Sequence, residues 1–187
     1  MKALIVYESM YGNTHLVADA IADGLRPVAE VAVVPVEVAT RARVAEADLL
    51  VVGGPTHVHG LSRTSTRKTA VEAAEKPGSE LDVDPDAEGA GLRDWFETLV
   101  DLTGPAAAFD TRADASPVLT GRASKGIARR LRHAGTTVVV PPESFLVTKA
   151  NELVPDELDH ARAWGARLAV ELTAASTSGP ATTSAGH

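Results

Sequence analysis

The run Ser9-Met10-Tyr11-Gly12-Asn13-Thr14 combines hydroxyl, amide and glycine in a pattern suited to holding an anion. Ser9 and Thr14 supply hydroxyl donors, Asn13 an amide, and Gly12 lets the backbone come close to a ligand. The apolar stretch Ala3-Leu4-Ile5-Val6-Tyr7 precedes it, and Leu16, Val17, Ala20, Ile21 and Leu25 follow at helical spacing. Strand, tight loop and helix are the expected local structure, with Gly24 near the helix end. A helix start exposes N–H groups without partners and carries partial positive charge, so a phosphate can seat there. The loop holds no Lys or Arg, so the expected grip is by neutral dipoles. The competing reading of such a run is an ordinary helix-start turn.

Two further polar runs follow apolar segments. Pro55-Thr56-His57-Val58-His59-Gly60 lies within GGPTHVHGLSR, Gly53 to Arg63. An H-x-H pair can bind zinc, yet no nearby Cys or carboxylate completes a ligand set. An imidazole or the Val58 backbone can instead wall a flat ring, or the two histidines are ordinary loop residues. Phe109-Asp110-Thr111-Arg112 is the third run. Asp110 and Thr111 can offer backbone N–H and C=O to a ring's polar edge. Arg112 either offsets charge on a reduced ring or points to water.

These runs need elements to position them. Ala29 to Val36 reads as a strand with Pro35 suited to an edge or strand end, and Arg41 to Glu46 as a short helix. Asp48 to Gly54 is apolar and β-rich, which fits a central parallel strand. Ser65 to Ala74 and Leu92 to Leu102 read as helices, separated by a polar loop, Lys76 to Gly91. Ala106 to Phe109 is a strand of small residues, Asp110 to Pro117 a loop, and Gly121 to Ala134 a helix stopped by Gly135. Thr136 to Val140 is a strand that Pro141-Pro142 breaks and Ser144 to Val147 can resume. Asp156 to Thr173 is the last helix, with acidic residues at its start. Five strands alternating with helices imply an α/β, doubly wound parallel sheet with right-handed crossovers. Residues 1–173 form one domain in this reading, and the Ala/Ser/Thr/Gly-rich 174–187 form a disordered tail.

Composition narrows the chemistry. The chain has 187 residues, 44% of them hydrophobic, enough for one full core. It has no cysteine, which excludes disulfides, thiol redox chemistry and thiolate-bound clusters, so any redox function must come from a bound cofactor. The net charge of −7 argues against a general nucleic-acid binder; it fits a solvated surface or an acidic face for a basic partner. No apolar run approaches the ~20 residues of a membrane span, so no membrane insertion is expected. No basic region followed by a long apolar stretch opens the chain, so no secretory leader is expected, and the expected location is cytoplasmic. Arg122, Lys125, Arg129, Arg130, Arg132 and His133 gather on one predicted helix, as a solvated face or a dock for an acidic partner.

The first loop, GGPTHVHGLSR with the following Thr66-Arg67, and the Phe109 to Arg112 run together resemble the flavodoxin-like family, over most of Met1 to Leu172. They are similar to a subgroup of bacterial flavodoxin-domain proteins. The resemblance implies a five-stranded sheet of order 2-1-3-4-5, in which the three runs converge beyond the carboxyl ends of the strands. It implies one noncovalent FMN per chain. The phosphate would lie on Ser9, Met10, Tyr11, Gly12, Asn13 and Thr14. The ring would lie between Pro55, Thr56, His57, Val58, His59 and Gly60 on one side and Phe109, Asp110, Thr111 and Arg112 on the other. Family members often stack an aromatic on each ring face. Neither ring-flanking run has one here, and Trp95 and Trp164 fall on predicted helices, which leaves stacking to His57, His59 or Met10. Tyr11 stands where the first loop usually has a second threonine.

The implied function is electron transfer with a redox partner protein, reductase or acceptor, and it needs no catalytic acid, base or nucleophile. An NAD(P)H- or quinone-dependent flavin oxidoreductase on the same fold is the alternative, with Lys76 to Gly91 covering a substrate. A flavin-free binding or regulatory module is the third reading.

Overall fold

The computed structural model describes residues 1–56 and 91–177. The predicted helix Ser65 to Ala74, residues 76–90 of the predicted loop, and His57, Val58, His59 and Gly60 lie outside the described residues.

Strand β1 (Lys2–Tyr7) leads through the first polar loop into helix α1 (Asn13–Leu25). Then come β2 (Glu30–Pro35), a 3-10 turn (Val36–Val38), α2 (Arg41–Ala45) and β3 (Leu49–Pro55). After the segment outside the description follow α3 (Leu92–Glu97), β4 (Pro105–Ala113), α4 (Pro117–Thr120) and α5 (Ala123–His133). β5 (Thr137–Val138), β6 (Glu143–Val147) and α6 (Glu157–Thr177) complete the chain.

All pairings within the sheet are parallel, in the order β2-β1-β3-β4-β5 that the resemblance implies. β3 is central because its first six residues, Leu-Leu-Val-Val-Gly-Gly, are buried, so both of its faces need cover. β2, half exposed along its length, takes the edge and ends on Pro35, where a missing N–H costs little. The fifth position is shared. β5 pairs with the start of β4 at Pro105 and Ala106, and β6 pairs with its end from Phe109 to Ala113. Pro141 and Pro142, which have no N–H for the ladder, lie between the two pieces.

Alternating side chains divide the core into two layers. On one face Leu92, Trp95 and Phe96 of α3 and Ile127, Ala128 and Leu131 of α5 cluster with Leu4, Val6, Leu50, Val52 and Ala108. On the other, Val17, Ile21 and Leu25 of α1 and Ala161, Trp164 and Leu168 of α6 cluster with Ile5, Val51, Ala107 and Phe109. α1 and α6 approach backbone to backbone: a Cβ on Gly24 would lie 2.2 Å from the Arg162 carbonyl oxygen, and one on Gly165 2.2 Å from that of Ile21.

Several boundaries differ from expectation. β4 continues to Ala113, so the predicted loop at Asp110 is strand. α3 stops at Glu97 rather than Leu102, and Asp101 turns the chain with a left-handed φ of 53°. α6 runs on to Thr177, past the predicted end at Thr173 and into the segment read as a disordered tail; residues 178–187 lie outside the described residues.

Candidate functional site

The first loop folds as a tight turn on the end of β1. Gly12, immediately before α1, has φ 83°, a left-handed conformation that an L side chain adopts only at a cost. Its N–H donates to Ser9 Oγ at 3.1 Å, which closes the turn. No side chain caps α1. Its first-turn N–H groups, on Asn13, Thr14 and His15, have no partner among the described residues, and its second turn begins with Leu16 N–H donating to Gly12 O at 3.0 Å. A helix start in this state is an electropositive seat for an anion.

A cleft of about 330 Å³ opens beside it. Met10, Tyr11, Asn13 and Thr14 line one side, with Pro55 and Thr56 from the end of β3 and Thr111, Arg112 and Ala113 from the end of β4. All of these stand at the carboxyl ends of parallel strands, where the order reverses between β1 and β3. Eight residues anticipated from the sequence therefore line one cleft: Met10, Tyr11, Asn13, Thr14, Pro55, Thr56, Thr111 and Arg112. Tyr11 puts an aromatic ring there, and burial raises its phenol above the ordinary value of 10.0, so it stays neutral at physiological pH. Ser9 is buried beneath the turn.

The end of β4 behaves otherwise than expected. Asp110 pairs with Gly54 and Ser144, and Thr111 with Pro55 and Phe145, so their backbones sit in ladders on both sides rather than facing a ring. Phe109 is core: fully buried, it lies over Gly53 and meets Phe145 and Trp164 edge to face. The Asp110 carboxylate, also fully buried, accepts from Thr56 Oγ1 at 2.8 Å and from the Ser124 N–H at 2.9 Å. Thr56 Oγ1 in turn accepts from the Ala123 N–H at 2.8 Å. These two side chains cap the start of α5 from across the sheet edge. Arg112 reaches the cleft wall, but its Nη1 donates to the carbonyls of Ala115 at 2.7 Å and Ala113 at 3.2 Å.

A fourth wall went unanticipated. Val147, Thr148, Lys149 and Asn151, at and after the end of β6, complete the cleft. Asn13 Nδ2 donates to the Asn151 backbone oxygen at 2.8 Å and to its Oδ1 at 3.2 Å, and Thr14 Oγ1 shares a 2.8 Å hydrogen bond with Thr111 Oγ1. Two side chains assigned to phosphate, Asn13 as donor and Thr14 in a shared hydroxyl pair, are thus bonded within the protein. The signal was present in the sequence: a strand resumed at Ser144 to Val147 must end in one more loop at the same edge. Glu8, just before the loop, accepts the Leu92 N–H at 2.8 Å and so holds the start of α3.

The basic helix also resolves. Lys125, Arg129, Arg132 and His133 are exposed on α5, while Arg122 is anchored to Ser144 Oγ and the Pro142 carbonyl. Burial lowers the Arg130 guanidinium pKa, as do Arg93 and Arg129, against an opposing contribution from Glu97. Among the described residues no helix is long and apolar enough to cross a membrane.

Comparison with known proteins agrees with this architecture. Residues 5–93 match the family model described as Flavodoxin. No curated protein sequence matches the chain. Among solved structures, a flavodoxin from the domain Archaea is similar with a TM-score of 0.62 and 20% identity, over 92% of this chain and 99% of that one. Oxidised flavodoxin 1 from Bacillus cereus is similar with a TM-score of 0.62 and 21% identity, over 93% of this chain and 98% of that one. A flavodoxin from Streptococcus pneumonia is similar with a TM-score of 0.62 and 18% identity, over 91% and 99%. At such identities the structural likeness speaks for the fold, and the match over residues 5–93 speaks for the sequence that builds the first loop. With its strand order, its loop after β1 and those structural likenesses, the chain has the flavodoxin-like fold, and residues 5–93 match the Flavodoxin family model.

Proposed function

We propose that the chain binds one FMN noncovalently in the cleft at the carboxyl ends of the strands and passes electrons to and from a partner protein in the cytoplasm. The observation that carries this is the uncapped start of α1, whose first-turn amides have no partner among the described residues and whose Asn13 and Thr14 line the cleft. Two features of the protein fit the group. The cleft volume of about 330 Å³ falls within the ~300–1,000 Å³ of small-molecule sites. Its lining joins apolar Met10, Pro55 and Val147 to hydroxyls and amides, as a flat ring on a polar tail requires.

The α1 amides would hold the phosphate, with Gly12 setting the turn that aims them. Tyr11 and Met10 would bound the chain between phosphate and ring. The ladders around Thr111 keep that wall rigid. When bound, FMN supplies one- and two-electron redox chemistry, and the chain contributes orientation and electrostatics.

Addition of FMN to the purified protein tests this reading. Expected are a yellow protein after gel filtration and stoichiometric quenching of FMN fluorescence at micromolar concentration. Unchanged fluorescence and a colourless protein would overturn it. Steady NADPH oxidation with a quinone, without any partner protein, would replace the carrier role with that of an oxidoreductase.

A further inference from the structure

Among the described residues that line the cleft, two are cations, Arg112 and Lys149, and none is a carboxylate. Arg112 is held by loop carbonyls. Lys149 has no acidic partner among the described residues. The turn that carries it is well built. Thr148 N–H donates to Glu152 O at 2.7 Å, Asn151 N–H to Thr148 O at 3.1 Å, and Val154 N–H to Leu146 O at 2.9 Å. Asn151 adopts a left-handed φ of 59°, a conformation asparagine tolerates better than most residues. Asn13, the first residue of α1, fastens this turn to the helix start through both of its bonds to Asn151.

Side chains of the first loop are also bonded within the protein. The Asn13 amide is engaged with Asn151, and the Thr14 hydroxyl with Thr111. The first-turn amides of α1 have no partner among the described residues, and Lys149 lines the same cleft from a distant part of the chain.

We propose that Lys149 is the charged arm of this site: its ammonium pairs with the phosphate of a phosphomonoester seated on the first turn of α1. Asn13 is the positioning residue that holds the Thr148–Glu152 turn against that helix. The proposal rests on the FMN reading for the identity of the phosphomonoester, but the anion site itself does not. Binding of a phosphate-bearing ligand then weakens with salt, while binding of its dephosphorylated counterpart does not.

The test compares the full chain with Lys149→Gln and Lys149→Arg, using FMN, riboflavin and inorganic phosphate as probes. Flavins are followed by fluorescence and phosphate by phosphorus NMR line broadening. Lys149→Gln should weaken FMN and phosphate about tenfold, the size of one charge-assisted hydrogen bond, and leave riboflavin within about twofold. Lys149→Arg should stay near the parent. Equal losses for FMN and riboflavin, or FMN affinity unchanged in Lys149→Gln, would overturn the role of Lys149 and leave the FMN reading standing. A parent chain that takes phosphate but no FMN would overturn the flavin reading, and its Lys149→Gln variant would still decide the cation's role on phosphate. A parent chain that takes neither would overturn both.

Discussion

Two helices begin at the same edge of the sheet, and they begin differently. α5 starts under cover: Thr56 Oγ1 receives the Ala123 N–H and the Asp110 carboxylate receives that of Ser124. α1 starts on a left-handed Gly12 with no side-chain cap among the described residues. Hydroxyl residues stand near both, Ser9 and Thr14 at α1 and Thr56 and Ser124 at α5. What separates a structural helix start from a ligand seat is therefore whether the fold has already supplied an acceptor. At α5 that acceptor is a buried carboxylate from the neighbouring strand. At α1 no such acceptor stands among the described residues, and the cleft lies beside it.

Removal of the structural acceptor has the largest expected effect. Asp110→Ala strips a fully buried carboxylate from two donors and should cost ~3 kcal/mol of unfolding free energy, measured by urea denaturation. If the variant kept its stability and lost only ligand affinity, the contrast between the two helices would fail.

Gly12→Ala comes next. A Cβ there meets nothing within 4 Å, so the cost is conformational, ~1–2 kcal/mol for holding φ 83°. Thermal unfolding measures it, and a variant as stable as the parent would mean the turn relaxes easily into another shape. Asn13→Ala removes two bonds to Asn151 and should cost ~1 kcal/mol, with faster amide exchange in residues 148–152 as its signature. Ser124→Ala gives the smallest change, within ~0.5 kcal/mol and toward greater stability. α5 uses the Ser124 backbone N–H, whereas its buried hydroxyl has no partner among the described residues.

Local pattern made the first loop readable. An apolar strand, a glycine-bearing polar turn and a helical stripe are all contiguous between Met1 and Leu25, and β3 announced itself as a buried strand for the same reason. Contacts across the chain hid the rest. Asp110 looked like a loop residue because a carboxylate inside a strand makes sense only once α5 is known to bring its bare N–H groups there. Lys149 lay in a short turn with no pattern of its own, and only the pairing of β6 with the far half of β4 brings it to the cleft. The end of α6 was set too early because Ala174-Ala175 were read for low complexity, although alanine has the highest helix propensity.

The contrast between the two helix starts can be observed directly, by backbone amide NMR of the nitrogen-labelled protein as FMN is added. Large shifts confined to Asn13, Thr14 and His15, with Ala123 and Ser124 nearly still, are the predicted result. Shifts centred on Ala123 and Ser124, or none at the start of α1 while FMN binds, would contradict it.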